Sequence, residues 1–210
     1  MRRVVAKGVV GIARLLAGGN VRRVGFTPDD RQRIYFVNHT SHLDFVLVWA
    51  ALPPRLRTMT RPVAAKDYWD KPGLRRYLGV KVFNAVLVDR QPVSPEQNPA
   101  AASRSAIDVL LDGLGEKHSL IIFPEGTRGD GTTIAPFKSG LYRLGKARPD
   151  VDLIPSYINN VNRVLPKGEF VPVPMLASVS FGEPMHVGED EDKNAFLDRA
   201  RNAILELRQW

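Results

Sequence analysis

The chain has 210 residues with 44% hydrophobic and 25% charged residues, enough for one folded domain with a sizeable core. It contains no cysteine, which excludes disulfides, thiolate metal sites and a cysteine nucleophile. A net charge of +8 suits an anionic partner: nucleic acid, anionic lipid or an anionic small substrate.

The first segment reads as a short helix. At about 100° per residue, Val5, Val9, Ile12 and Leu16 share one arc, and Arg3, Lys7 and Arg14 the opposite one. Such a helix either lies in a membrane interface or packs its stripe on the domain. Gly18, Gly19 and Asn20 end it. We divide the chain into this helix, residues 1–20, and a domain of residues 21–210. No run reaches the ~18 apolar residues of a membrane span, and no cleavable signal sequence is evident.

The pattern then alternates. Residues 33–37 read as a strand, and 43–52 as a helix stopped by Pro53 and Pro54. A strand over 61–65 precedes a helix over 67–78, interrupted at Pro72 and Gly73. Residues 85–88 form a strand. Asn98 and Pro99 cap a helix that runs to Leu114. Residues 119–123 form a strand, 139–147 a helix, and 153–158 and 174–181 two further strands. The last helix, 192–208, shows Phe196, Ala200, Ala203 and Leu207 on one face. Residues 89–100 and 162–174 read as long loops. The alternation predicts an α/β fold with a mixed, largely parallel sheet flanked by helices.

Open α/β sheets bind ligands at the carboxyl ends of their strands. Polar groups follow four of the predicted strands: Asn38 and His39, Lys66, Asp89 and Arg90, and the stretch from Pro124 to Arg128. Two of these stretches carry chemistry. In FVNHTSHLDF, His39 and Asp44 lie five residues apart. On one continuous helix they diverge by about 140°. With His39 in the preceding loop and Asp44 in the first turn, a carboxylate on one imidazole nitrogen leaves the other as a base. The same stretch also matches a capping box, with Ser41 as N-cap and Asp44 as the third helical residue. Spacing leaves cap and site equally open. In FPEGTRG, Gly126 permits close ligand approach, and Arg128 offers a fork suited to phosphate. Glu125 would accept from ligand hydroxyls or hold Arg128. Alone, this stretch reads as a surface turn with an ion pair.

Together, N-H-x-S-x-x-D and F-P-E-G-T-R resemble the glycerolipid acyltransferase family, which includes the lysophosphatidic acid acyltransferases. Val86–Arg90 resembles the family's block ending in D-R, with Asn84 where the pattern has glycine. Leu153-Ile154-Pro155 is similar to a fourth block. The resemblance covers residues 33–184 and implies the family's fold. It also implies His39 as general base, Asp44 as its orienting partner, and direct acyl transfer from a thioester to a lipid hydroxyl. Glu125, Gly126, Thr127 and Arg128 would bind the glycerol phosphate, with Arg90, Lys66 and Lys138 adding charge.

The implied acceptor is a lysophospholipid, foremost 1-acyl-glycerol-3-phosphate. The donor is acyl-CoA or acyl-carrier protein as co-substrate, with no cofactor and no metal. The family's long N-terminal membrane helix has no counterpart here. The expectation is therefore a peripheral or monotopic protein on the cytoplasmic face of a membrane. Other acceptors, such as another lysophospholipid or an aminoacyl lipid, share the same His/Asp signature, and a hydrolase using water is a further reading. A nucleic-acid module would need basic residues interleaved with aromatics, which the sequence lacks.

Overall fold

The computed structural model describes residues 2–17, 20–41, 44–89, 105–159 and 177–209. Within them a sheet of seven strands runs in the order β1-β7-β6-β2-β5-β3-β4. The strands are β1 (Asn20–Arg23), β2 (Arg33–Val37), β3 (Thr60–Ala65), β4 (Val86–Val88), β5 (Ser119–Ile122), β6 (Asp152–Asn159) and β7 (Ser178–Phe181). Every neighbouring pair is parallel except β6 with β7.

The central strands are buried and mostly apolar, as helices cover both faces. Side chains alternate along β2. Tyr35 and Val37 join the core on one face, and Ile34 and Phe36 the core on the other. On the first face lie α1 (Arg2–Ala17), α2 (Asp44–Ala51), α3 (Pro54–Met59), α4 (Lys66–Trp69), the short α5 (Leu74–Arg76) and a π-helical turn, Tyr77–Val82. On the second lie α6 (Ala106–Leu114), α7 (Gly140–Ala147) and α8 (Lys193–Leu207).

The structure adjusts several boundaries. The strand Asn20–Arg23 begins where only a helix stop was expected, because a single apolar residue, Val21, marks it. The helix expected from Asn98 starts instead at Ser105, whose side chain accepts from the Asp108 N–H while the Asp108 carboxylate accepts from the Ser105 N–H. Asn98, Pro99 and Arg90 lie outside the described residues, as does the start of the strand expected at 174. The segment 67–78 breaks at Pro72 and Gly73 as expected, resumes as α5 and then widens into the π turn.

The first helix packs on the domain. Val10 and Ala13 are core residues, and Val5, Ala6 and Val9 lie against them. Of the expected stripe, Val5 and Val9 pack there, and the side chains of Ile12 and Leu16 lie outside the described residues. Val4 and Lys7 face outward.

Candidate active site

β2, β3, β4 and β5 are all parallel, so their carboxyl ends share one edge of the sheet. β2 and β5 are neighbours. The two sequence motifs, 86 residues apart, therefore meet at this edge.

His39 follows β2. Its Nδ1 lies 2.8 Å from Asp44 Oδ2. Asp44 is fully buried, and the same oxygen accepts from the N–H groups of Thr40 at 2.6 Å and Ser41 at 2.8 Å. The Ser41 N–H bond is one half of a capping box. One carboxylate thus starts α2 and orients the imidazole, so the cap and the site coincide. With Asp44 ionised, this contact takes the tautomer in which Nδ1–H donates to the carboxylate. Nε2 makes no hydrogen bond among the described residues and keeps its lone pair. The ring stacks on Phe123 at 4.2 Å between centroids, which fixes its plane.

The main chain of His39 is clamped on both sides. Its N–H donates to Glu125 Oε1 at 2.7 Å, and its carbonyl accepts from the Gly129 N–H at 2.8 Å. Glu125 Oε2 accepts from the Ala135 N–H at 2.9 Å. Burial pushes the Glu125 carboxyl above the ordinary glutamate value, against the pull of the Ala135 and His39 donors. Through these bonds the two Glu125 oxygens join two loops, and neither bond goes to Arg128. Arg128 has no ion-pair partner among the described residues.

Asn38 was noted in the sequence without a role. Its side-chain amide donates to the Ile158 carbonyl at 3.0 Å and accepts from the Ile158 N–H at 2.8 Å, pinning the loop to β6. Nothing in the local pattern distinguishes such a backbone-directed amide from a ligand-directed one.

The remaining candidates surround this centre. Gly126 has φ +71°, and a Cβ there would sit 2.6 Å from Lys138 Cε. The backbone angle favours glycine, and the flexible end of Lys138 packs over it. Thr127 is exposed and Arg128 half-buried. Lys66 lies 3.8 Å from Asp89 across the ends of β3 and β4, with both side chains exposed.

His39 borders two hollows of opposite character. One, of about 220 Å³, is polar; Thr132, Thr133, Tyr157, Asn159 and Arg208 line it together with Glu125. The other, about 50 Å³, is aromatic, walled by Phe45, Tyr68, Trp69 and Phe123. Lys66, Gly126, Thr127, Arg128 and Lys138 line neither. Sequence reading missed Tyr157 and Arg208. Arg208 comes from the end of α8 and donates to the Thr132 carbonyl at 3.0 Å, a contact that only the fold creates.

The α/β sheet thus carries, at its strand ends, a histidine oriented by a buried aspartate and bordering an apolar and a polar hollow. The family model named Acyltransferase matches residues 20–159, and the chain belongs to that family. Among curated proteins it is similar to a 1-acyl-sn-glycerol-3-phosphate acyltransferase of Limnanthes alba. They are 27% identical over 85% of this chain and 59% of that protein. A protein of the same name from Cocos nucifera is 23% identical over 85% of this chain and 54% of its own length. The chain thus spans less than two thirds of the length of these relatives. The fold resembles that of the 1-acyl-sn-glycerophosphate acyltransferase PlsC from Thermotoga maritima. The TM-score is 0.70 at 21% identity, covering 100% of this chain and 82% of that one.

Proposed function

We propose that the chain transfers an acyl group from a thioester donor, acyl-CoA or acyl-carrier protein, to the hydroxyl of a lysophospholipid, foremost 1-acyl-glycerol-3-phosphate. The observation that carries this reading is the 2.8 Å contact between His39 Nδ1 and buried Asp44, with Nε2 left open. The names of the similar curated proteins support the acceptor.

Nε2 of His39 takes the proton of the acceptor hydroxyl as that oxygen bonds to the thioester carbonyl carbon. The carbon–sulfur bond breaks, and the leaving thiolate takes the proton back from the imidazolium. Asp44 stabilises the imidazolium and keeps the ring in the required tautomer. Glu125, Asn38 and Phe123 hold the histidine rather than touch the reacting atoms. Arg128, Lys138, Lys66 and Arg90 supply positive charge for the acceptor phosphate, and Thr127 a hydroxyl. The aromatic hollow offers an apolar surface for an acyl chain.

No helix among the described residues is long and apolar enough to cross a membrane. The protein works as a peripheral or monotopic enzyme on the cytoplasmic face of a membrane, with the outward side of α1, at Val4 and Lys7, in contact with the lipid.

The test is acyl transfer by the purified chain to a panel of hydroxyl acceptors with each donor type. Transfer to 1-acyl-glycerol-3-phosphate is expected, with Arg128→Ala weakening phosphate-bearing acceptors and sparing neutral ones. Transfer to none of the panel, or to water alone, contradicts the reading.

A further inference from the structure

Val4, Leu74 and Val80 are the exposed large hydrophobic residues of the described chain, at 72%, 73% and 37% exposure. They are not scattered. Leu74 and Val80 lie six positions apart in α5 and the π turn, and α1, which carries Val4, packs against that same π turn. A shallow hollow of about 430 Å³ opens there, lined by Pro72, Gly73, Arg76, Tyr77, Val80 and Lys81.

The surrounding charge is mainly positive. Residues 66–81 hold five cations, Lys66, Lys71, Arg75, Arg76 and Lys81, against Asp67 and Asp70. Asp70 is engaged by Arg76 at 2.8 Å. Lys71 and Lys81 are exposed. Arg75 lies over the Tyr68 ring at 4.5 Å. Apolar side chains pointing to solvent, ringed by cations, match the interface of an anionic bilayer.

The patch is also the back of the catalytic cleft. Gly79 is buried, and a Cβ there would sit 3.2 Å from the Trp69 indole. Trp69 and Tyr68 both wall the aromatic hollow at His39. Val80 lies at the surface, and its neighbour Gly79 packs against Trp69 in the cleft wall.

We infer that residues 71–81 form a second membrane contact, joined to α1, that seats the cleft against an anionic bilayer so that a lipid acceptor enters from the lipid phase. The inference rests on the reading that the acceptor is a lipid. Binding to vesicles is nevertheless measured without any substrate, so failure of the one is distinguishable from failure of the other.

The experiment is flotation of the full chain with vesicles of phosphatidylglycerol and phosphatidylcholine, or phosphatidylcholine alone. The wild type should bind the first and bind the second weakly. Leu74→Glu with Val80→Glu should reduce binding by about tenfold or more, with unchanged thermal unfolding and unchanged rate on a short-chain, water-soluble acceptor. Lys71→Gln with Lys81→Gln should weaken binding to anionic vesicles and flatten its salt dependence. Val4→Glu alone should give a partial loss. Wild-type binding by both double variants overturns the inference, as does complete loss in Val4→Glu with none in Leu74→Glu/Val80→Glu, or failure of the wild type to bind either vesicle.

Discussion

Both ends of the central strands bury charge, and they use it in opposite ways. At the amino ends, Arg33 has no exposure and Asp152 is its partner in the β2–β6 register. Arg33 donates to the carbonyls of Asp29 at 2.9 Å and Thr27 at 3.0 Å, and lies 2.6 Å from the Asp29 carboxylate. Asp152 faces Arg31 at 3.2 Å and His186 at 3.3 Å. Charge there is answered by charge. At the carboxyl ends, Asp44 and Glu125 are answered by backbone N–H groups, and the one ring they organise keeps a free nitrogen beside two hollows. Buried charge alone does not mark a site. An unengaged atom beside open space does.

The sharpest way to break this contrast is to disturb each end in turn. Asp44→Asn replaces the carboxylate that orients His39 with a neutral amide, and transfer should fall about 100- to 10,000-fold, measured as kcat. Arg33→Met strips the counter-charge from Asp29 and Asp152, and should cost about 3–5 kcal/mol in urea unfolding while leaving kcat of the folded protein unchanged. If Arg33→Met lowered kcat while stability held, the two ends would not be distinct. Asn38→Ala leaves the Ile158 backbone pair unmet; a loss of about 1–3 kcal/mol is expected, with a fall in kcat because His39 is the next residue.

The smallest effect is the pH dependence, where the two ends should slope oppositely. Burial raises the Asp29 carboxyl, but bonds from Arg31 and the charges of Arg33 and Arg31 outweigh it and hold it below 3.8. A carboxyl lowered on folding contributes stability that is lost as pH falls through its folded value. Asp29→Asn should remove that acid loss. Glu125 is raised above 4.5 by burial, so the folded state keeps its proton longer. Its contribution to stability should fall as pH rises through the window above 4.5, and Glu125→Gln should abolish that decline. Urea unfolding of each variant against wild type across these windows gives the sign directly.

The catalytic end was legible in part. Apolar runs bounded by polar residues located the central strands, because strands covered on both faces read as continuous hydrophobic stretches. The spacing of His39 and Asp44 left cap and site open, and the structure joins them because one oxygen accepts from both the ring and the cap backbone. Glu125 accepts from two main-chain N–H groups, a role that no side-chain pattern encodes. Arg208 and Tyr157 reach the polar hollow only through the packing of α8 and β6. The strand at Asn20 was missed because half its residues are arginine and its pairing with β7 is long-range.

The most direct test of the central claim is the rate of thioester-dependent acyl transfer by His39→Ala at saturating acceptor, with its thermal unfolding compared to wild type. The account predicts a folded protein whose kcat is reduced about 100- to 10,000-fold, because Nε2 is the base. A folded His39→Ala variant with wild-type kcat would contradict it.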